Sequence, residues 1–394
     1  MSKALQGLRI LDLTRVLAGP FCTMILADLG AEVLKIEPSG TGDDSRSFGP
    51  FIKGESTYFM SLNRNKKGLT LNLRHQEGKS ILKQLVKHVD VLVENYSPGT
   101  MKKLELDYAV LAAENPRLIY AAISGFGQEG SYKEKPAYDF IVQGMSGIMS
   151  LNAHPGGTPT RIPIGLGDIT AGLYATIGLL AAIQERERSG RGQMIDVAML
   201  DCQIAILENP IIRYFAGDIP KPLGNTHPTI SPTGGFPTRD GYMIIAVGND
   251  NHWKTFCQAI KREEWISDPR FITNAKRTEN MPKLRKLLEE VLGKHNTAHW
   301  VEILEKVGIP CGPVNSIEQF VKDPHVALRE MIVSLKHPLA GDVKMSGLPI
   351  KLSRTPGEVS VPPPTLGSHN TEVLKSLLGF TDENIEKLKE KGVL

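Results

Sequence analysis

One carboxylate stands where a long apolar helix is predicted to begin. Asp168 lies between Gly167 and the apolar stretch from Ile169 to Ile183, and Gly165 is close by. Aspartate is a preferred N-cap residue, because its side chain accepts a hydrogen bond from a backbone N–H of the first turn. The positive end of the helix dipole also keeps a carboxylate ionised, and the two glycines leave space for a covalent intermediate. The residues alone therefore leave two roles open for Asp168, a structural cap and a catalytic nucleophile.

Two further polar segments have the composition of ligand contacts. Asn63-Arg64-Asn65-Lys66-Lys67-Gly68 concentrates three cations in a predicted loop, which is either a solvated turn or a clamp for a phosphate. Glu94-Asn95-Tyr96-Ser97-Pro98-Gly99 follows a predicted buried strand, and ligands of α/β sheets bind at strand ends. An amide beside an aromatic ring there is suited to an adenine or a pantetheine, and a simple turn is an equal interpretation.

Strand and helix patterns alternate over the first 125 residues. Short apolar runs and amphipathic patterns predict strands at 8–13, 31–37, 69–73, 89–93 and 118–123, and helices at 21–29, 76–88 and 106–114. This alternation predicts parallel βαβ units, and hence a doubly wound, Rossmann-like α/β sheet.

A second, smaller α/β domain is predicted after a linker that contains glycine and proline. The chain divides into a large domain at 1–216, the linker 217–225, a small domain at 226–322, and a segment 323–394 that returns to the large domain. Within the large domain, a strand at 193–197 and a helix from 199 to about 215 follow the Asp168 helix. The small domain is predicted to contain a strand at 241–247 and helices at 249–260, 282–293 and 297–307.

The sequence lacks the motifs of two common enzyme classes, the dinucleotide-binding enzymes and the serine hydrolases. The first βα turn, Thr14 to Pro20, contains only Gly19, whereas a dinucleotide site needs GxGxxG so that the backbone can approach a pyrophosphate. The large domain is therefore predicted to be Rossmann-like without that fingerprint. His227, Ser231 and Cys202 suggest a hydrolase triad, but no serine lies in a GxSxG elbow.

Composition narrows the class of protein further. The 394 residues are 41% hydrophobic and 23% charged with a net charge of +3, which is ordinary for a globular chain and too weak for a dedicated nucleic-acid protein. The four cysteines form no CxxC pair and no metal-ligand spacing, which favours a reducing cytoplasm. The longest apolar stretch, 169–183, is shorter than the roughly 20 residues that a membrane span needs. We expect a cytoplasmic protein without a membrane partner.

Taken together, several segments resemble the class III CoA-transferases, and they follow the family's order over most of the chain. The matching segments are Leu8–Leu13, Ala18–Pro20, Leu29–Glu37, Asn63–Lys67, Glu94–Tyr96, Ser124–Gln128, Asp168, Gly192–Val197 and Pro310–Val314. The resemblance implies an interlocked, ring-shaped homodimer. It also implies coenzyme A, as acyl-CoA, for a substrate, with no tightly bound cofactor and no metal.

By the same resemblance Asp168 is the nucleophile. It forms a mixed anhydride with the donor acyl group, then an aspartyl-CoA thioester that a carboxylate acceptor attacks. The implied CoA contacts are Val16, Ala18, Leu71, Arg74, Asn95, Tyr96, Lys103 and Met199, with Tyr138 and Asp139 flanking the thioester.

The choice of acceptor rests on departures from the family pattern. Members that use formyl-CoA and oxalate carry Gln at the position of Leu17 and a glycine run where this chain has Asn225 to Ser231, which argues against oxalate. The segments 12–20 and 42–46 are closer to the branch that uses succinate and glutarate, and they suggest succinyl-CoA as donor.

Two alternatives remain at the level of sequence. One is an α-methylacyl-CoA racemase of the same fold, whose catalytic His would fall at Tyr138, a poor base because its ordinary pKa is about 10. The other is a non-catalytic CoA-binding protein, against which the presence of Asp168 argues.

Overall fold

The computed structural model describes residues 2–394. Its strands are β1 (Arg9–Asp12), β2 (Glu32–Glu37), β3 (Phe51–Ile52), β4 (Glu55–Ser56), β5 (Lys66–Thr70), β6 (Val91–Glu94), β7 (Ile119–Ser124), β8 (Met194–Ala198), β9 (Thr233–Pro237), β10 (Tyr242–Ala246), β11 (Cys311–Pro313), β12 (Ile332–His337) and β13 (Gly341–Ser346). Its helices are α1 (Ala18–Asp28), α2 (Thr57–Met60), α3 (Gln76–Val86), α4 (Thr100–Lys103), α5 (Tyr108–Glu114), α6 (Asp139–Met145), α7 (Ile148–Leu151), α8 (Leu166–Ser189), α9 (Met199–Ala205), α10 (Glu208–Phe215), α11 (Asp250–Ala259), α12 (Asn274–Glu279), α13 (Met281–Leu292), α14 (Thr297–Lys306), α15 (Ile317–Phe320), α16 (Pro324–Leu328), α17 (Asn370–Leu378) and α18 (Asp382–Glu390).

Six strands form a parallel sheet in the order β5-β2-β1-β6-β7-β8, which confirms the predicted α/β class with a parallel central sheet. In its central register, Leu11 pairs with Leu34 on one side and with Leu92 on the other. The chain runs outward from β1 through β2 to β5 and then returns to β6 on the opposite side of β1. A crevice opens between β1 and β6 at such a reversal, and ligands of α/β sheets bind there.

Alternate side chains of these strands enter two separate cores. Leu11, Leu34 and Leu92 pack on one face of the sheet, where buried side chains of α3, α5, α17 and α18 cover them. Ile10 and Val33 face the other side, where α1, α8 and α9 cover the sheet. Strands buried on both faces read as continuous apolar runs, which is why these strands were predictable from sequence.

The described chain divides into two units. The first comprises residues 2–148, 161–216 and 324–394, and the second comprises 149–160 and 217–323. The segment 149–160 thus belongs to the second unit, whereas the sequence division assigned it to the large domain. In the second unit, the antiparallel sheet β11-β10-β9 packs on α11, α13 and α14 around buried side chains that include Phe236 and Trp253.

Helix α8 is long and apolar enough to cross a membrane by length and composition, and it is the one such helix among residues 2–394. A core helix of a globular domain has the same two properties. Ala171, Ala175 and Leu179 of α8 are fully buried in the core that lies against the sheet.

The basic segment 63–68 differs from both interpretations of its sequence, the solvated turn and the phosphate clamp. Strand β5 begins at Lys66, whose ammonium nitrogen lies 2.9 Å from Asp12 with both side chains fully buried. Arg64 is also buried and pairs with Asp28 at 2.7 Å. These cations are neutralised inside the protein, and sequence patterns do not encode such distant partners.

We expect Lys66→Ala to lower the free energy of unfolding by about 3–5 kcal/mol, because it removes one partner of a buried ion pair. The matched control is Lys67→Ala. The Lys67 side chain is 35% exposed and pairs with Glu32 and Glu372 at the surface, so its loss should cost about 1 kcal/mol or less. Chemical denaturation of the three proteins measures both values, and equal losses at the two positions would contradict the assignment.

Candidate active site

The carboxyl ends of β1, β6 and β7 border a cavity of about 220 Å³ in the first unit. The residues that line it are Arg15, Val16, Ala18, Asp44, Asn95–Pro98, Ile123–Phe126, Lys133, Lys135–Tyr138, Asp168 and Met199. They come from the loops that follow these strands, from the 133–138 loop, and from the first turns of α1, α8 and α9. A site built at the crevice beside β1 is what a parallel sheet of this order predicts.

Asp168 is the third residue of α8, and its carboxylate does not cap that helix. Gly165 occupies the N-cap position and supplies no side-chain hydrogen bond. The backbone N–H of Ala18, at the start of α1, acts instead on the Asp168 carboxylate and lowers its pKa. Of the two roles that the sequence left open, the structural cap is therefore wrong.

The environment of Asp168 raises its pKa to about 7. Burial contributes most, because it penalises the charged form, and the negative charge of Asp139 adds to the effect. The Ala18 N–H acts in the opposite direction by stabilising the carboxylate. A carboxylate with this pKa is a stronger nucleophile than an exposed aspartate and is still substantially ionised near neutral pH.

Asp139 performs the capping that Asp168 does not. Its Oδ1 accepts the Gly167 N–H at 2.7 Å, and its Oδ2 accepts a hydrogen bond from Gln143 Nε2 at 2.8 Å. The same Gln143 amide group donates to the carbonyl oxygens of Ile162 and Ile164 and accepts the Ile162 N–H. This network fixes the first turn of α8, and with it the position of Asp168.

The two glycines beside Asp168 face different neighbours. A Cβ on Gly165 would lie 2.5 Å from Leu17 Cδ2 and 3.3 Å from Asp168 Oδ2, so the missing side chain permits Leu17 to pack next to the carboxylate. A Cβ on Gly167 would lie 2.5 Å from Gln203 Nε2 and 3.2 Å from Asp139 Oδ1. Both glycines therefore permit close packing at the start of α8, of Leu17 in one case and of the capping network in the other.

Seven of the residues singled out from sequence meet in this cavity. They are Val16, Ala18, Asn95, Tyr96, Tyr138, Asp168 and Met199. Asp139 lies outside the lining but bonds to the first turn of α8. Three of the implied CoA contacts lie elsewhere: Leu71 is buried in the core on one face of the sheet, and Arg74 and Lys103 are exposed.

Sequence reasoning missed several residues of the site. Lys133 and Lys135 line the cavity, and their only sequence signal is the basic loop in which they occur. Arg15 also lines it and pairs with Asp44 at 2.9 Å. Tyr58 does not line the cavity but is near Asp168, and burial together with the charges of Asp168 and Asp139 raises its pKa to about 12. Nothing in the sequence near Tyr58 marked it.

No group of three or more His, Cys, Asp or Glu side chains within residues 2–394 is arranged to hold a metal ion.

Known proteins are similar to this chain over most of its length. The chain matches the model of CoA-transferase family III over residues 5–370. It is 39% identical to succinyl-CoA:glutarate CoA-transferase of Mus musculus over 394 residues, which cover 100% of this chain and 90% of that protein. It is 42% identical over 350 residues to acetyl-CoA:oxalate CoA-transferase of Acetobacter aceti, covering 88% of this chain and 89% of that protein.

A solved structure agrees with these matches. The crystal structure of a CaiB/BaiF family protein from Brucella suis superposes with a TM-score of 0.87 at 37% identity, and the match covers 96% of this chain and all of that one. The family model spans nearly the whole chain, and relatives of similar length carry CoA-transferase names. The chain belongs to the class III CoA-transferase family and is a CoA-transferase that acts on CoA thioesters.

Proposed function

We propose that this enzyme transfers CoA from an acyl-CoA donor to a small carboxylate acceptor through covalent intermediates on Asp168. Succinyl-CoA is the proposed donor. The observation that carries the proposal is the Asp168 carboxylate itself. It lines the cavity together with Ala18, whose backbone N–H favours the ionised form, and has a pKa raised to about 7 by burial and by Asp139.

The chemistry proceeds by four balanced acyl transfers. The Asp168 carboxylate attacks the donor thioester carbon, and CoA thiolate leaves as a mixed anhydride forms. The thiolate then attacks the Asp168 carbonyl, which releases the donor carboxylate and leaves an aspartyl-CoA thioester. The acceptor carboxylate attacks this thioester and releases the thiolate again, and the thiolate attacks the acceptor's acyl carbon. The products are the new CoA thioester and the free Asp168 carboxylate.

A carboxylate suits this exchange for an energetic reason. An acyl anhydride is at least as activated toward a nucleophile as a thioester is, so the CoA thiolate can attack it and form a thioester again. When the Asp168 carbonyl carbon is attacked, the tetrahedral intermediate places negative charge on an Asp168 oxygen, and the nearby Ala18 N–H stabilises it. Both intermediates hydrolyse readily in water, so the half-buried position of Asp168 favours transfer over hydrolysis.

The size of the cavity bears on how CoA would bind. Its volume of about 220 Å³ is below the roughly 300–1,000 Å³ of typical ligand pockets, so we propose that it holds the thioester and part of the pantetheine. The nucleotide end would then lie outside it. Arg74 and Lys103 are exposed, and the family resemblance assigns both to CoA.

The proposed donor and acceptor follow the mouse relative, whose name specifies succinyl-CoA and glutarate. A small dicarboxylate is our proposed acceptor, consistent with the segments 12–20 and 42–46 of the sequence. The racemase alternative has no supporting observation, because Tyr138 stands at the position of its catalytic His and the named relatives are CoA-transferases.

We further propose that the enzyme is an interlocked homodimer, as the family resemblance implies. Large apolar side chains of α8 and α10 are strongly exposed in the single chain, among them Ile177 at 62%, Ile212 at 63% and Phe215 at 78%. Apolar surface of this kind is typical of a face that another protein covers. A second copy of this chain is the proposed partner.

We expect Asp168→Asn to lose CoA transfer from succinyl-CoA to glutarate by about 10⁴-fold or more, because the amide cannot act as the nucleophile. Asparagine keeps an oxygen that accepts the Ala18 N–H, so the fold and CoA binding should be retained. Mass spectrometry of wild-type enzyme with succinyl-CoA should detect CoA bound to the peptide that contains Asp168, and the variant should show none. Transfer by the variant at more than a few per cent of the wild-type rate would exclude the covalent route.

The acidic limb of kcat/KM should have its midpoint near pH 7, because the reactive form of Asp168 is ionised and its pKa is raised to about 7. Asp139→Asn removes the negative charge that contributes to this rise but keeps an oxygen for the Gly167 N–H. The pKa of Asp168 should fall, and the acidic limb should move to lower pH.

The matched control is Asp107→Asn, which alters a helix-capping carboxylate that bonds the Val110 N–H at the start of α5. Its pH profile should follow that of the wild type. An acidic limb that stays in place in Asp139→Asn would show that Asp168 does not control it.

We expect the double variant Arg74→Ala/Lys103→Ala to weaken CoA binding about tenfold, through lost contacts with the nucleotide phosphates. Binding of a pantetheine thioester, which lacks those phosphates, should be unchanged. Higher ionic strength should weaken CoA binding by the wild type for the same reason. Lys83→Ala/Lys87→Ala, which alters two cations at the other end of α3, is the control, and an equal loss in both doubles would indicate a general effect of charge.

A further inference from the structure

The loop between β1 and α1 contains a strained residue at the edge of the cavity. Val16 has a φ of +65°, in the left-handed region that β-branched residues rarely occupy. Such a conformation persists only where surrounding contacts hold it, and residues of this kind cluster at functional sites. Two residues further along the chain is Ala18, which lines the same cavity as Asp168 and whose backbone N–H lowers the pKa of that carboxylate.

The Asn95 side chain holds the residue before Val16 with both of its polar atoms. Its Oδ1 accepts the Arg15 N–H at 2.8 Å, and its Nδ2 donates to the Arg15 carbonyl oxygen at 2.8 Å. Asn95 follows β6, so this pair of bonds ties the loop to the neighbouring strand across the crevice. The amide is thereby committed to the backbone of Arg15, although Asn95 also lines the cavity.

Asp43 holds Val16 itself. Its Oδ1 accepts the Val16 N–H at 3.1 Å and also bonds the Ser45 N–H and hydroxyl at 2.9 and 2.7 Å. Its Oδ2 lies 2.9 Å from the fully buried Lys35 ammonium, which donates to the Thr14 carbonyl oxygen at 2.8 Å. The Asp43 carboxylate, which accepts the Val16 N–H, is therefore itself held in place by its ion pair with Lys35.

We propose that Asn95 and Asp43 are positioning residues, which clamp the strained Arg15–Val16 turn so that the Ala18 N–H stays directed at the reacting Asp168 carboxylate. This inference rests on the proposed function, and it assigns to Asn95 a role other than a hydrogen bond to CoA. The N–H that they place stabilises the ionised nucleophile and faces the carbonyl oxygen that takes up charge during acyl transfer.

The clamp has a consequence for the pH dependence of catalysis. The groups that act on Asp168 from neighbouring elements are the Asp139 carboxylate on α6, which raises its pKa, and the Ala18 N–H on α1, which lowers it. Tyr58 on α2 is close enough to interact with Asp168 electrostatically and stays neutral. If the turn relaxes and the N–H moves away, the pKa of Asp168 rises further, and the acidic limb of kcat/KM moves to higher pH.

The test is Asn95→Ala in the full-length enzyme. We expect kcat to fall on the order of 10- to 100-fold, as small misplacements near reacting groups do. CoA affinity should change less than about twofold, and the acidic limb should move to higher pH. Hydrogen exchange measured by mass spectrometry should become faster in the peptide that contains Arg15 and Val16.

Asn115→Ala is the matched control. The Asn115 amide also holds a loop of the first unit, because it donates to the carbonyl oxygens of Val86 and Val89 and accepts the Arg117 N–H, away from the cavity. We expect this variant to lose some stability but to keep the wild-type pH profile and the wild-type exchange at residues 15–18. If the acidic limb of kcat/KM moved equally in Asn115→Ala, general destabilisation would explain the effect of Asn95→Ala, and the proposal would be overturned.

Two results separate this inference from the proposed function. Weaker CoA binding by Asn95→Ala, with kcat, pH limb and exchange unchanged, would make Asn95 a direct CoA contact and overturn the positioning role while Asp168 chemistry stands. The absence of a CoA adduct and of transfer in the wild type would instead overturn the proposed function, and the inference with it.

Discussion

A fully buried cluster of charged side chains at the carboxyl end of β1 holds together the centre of the first unit. Asp12 accepts hydrogen bonds from the Lys66 ammonium at 2.9 Å and from the hydroxyl groups of Thr14 and Thr23. Burial alone would raise the pKa of Asp12, but Lys66, Lys35 and the hydroxyl groups of Thr14 and Thr23 together outweigh it and hold that pKa well below its usual range. Because Lys66 begins β5, this carboxylate ties β1 to the edge strand β5, and the positive charge of Lys35 in β2 also stabilises it.

The same cluster determines where the site is built. Lys66 also donates to the Pro20 carbonyl oxygen in α1, and Lys35 donates to the Thr14 carbonyl oxygen and pairs with Asp43. The two ends of the β1–α1 turn are thus fixed to buried cations, and the turn lies at the crevice where the strand order reverses. Burying these charges is costly unless every one of them is paired. The same paired charges hold the loop between β1 and α1 in one position.

Within the cavity, two aspartates divide two tasks. Asp139 accepts the Gly167 N–H and so satisfies the start of α8, which leaves the Asp168 carboxylate to face the cavity. The proximity of the two carboxylates also contributes to the raised pKa of Asp168. The capping residue therefore sets both the position and the basicity of its neighbour, and the Ala18 N–H moderates the rise. In the proposed reaction, this balance yields a carboxylate that is reactive and ionised near neutral pH.

The sequence by itself determined the parallel α/β sheet, because strands buried on both faces leave continuous apolar runs and amphipathic helices separate them. It also singled out Asp168, at the start of a long apolar helix, and Asn95 and Tyr96, which follow a strand. Ligands of parallel sheets bind at the carboxyl ends of the strands. Only the tertiary structure decided that Asp139 caps α8, that Lys66 is buried, and that Lys133 and Lys135 line the cavity. These facts depend on partners distant in sequence: Asp12 and Lys66 are 54 residues apart, and Arg15 and Asn95 are 80 apart. A local pattern records which residues favour a helix, a strand or a turn, whereas a buried pair is fixed by the packing that brings its two members together.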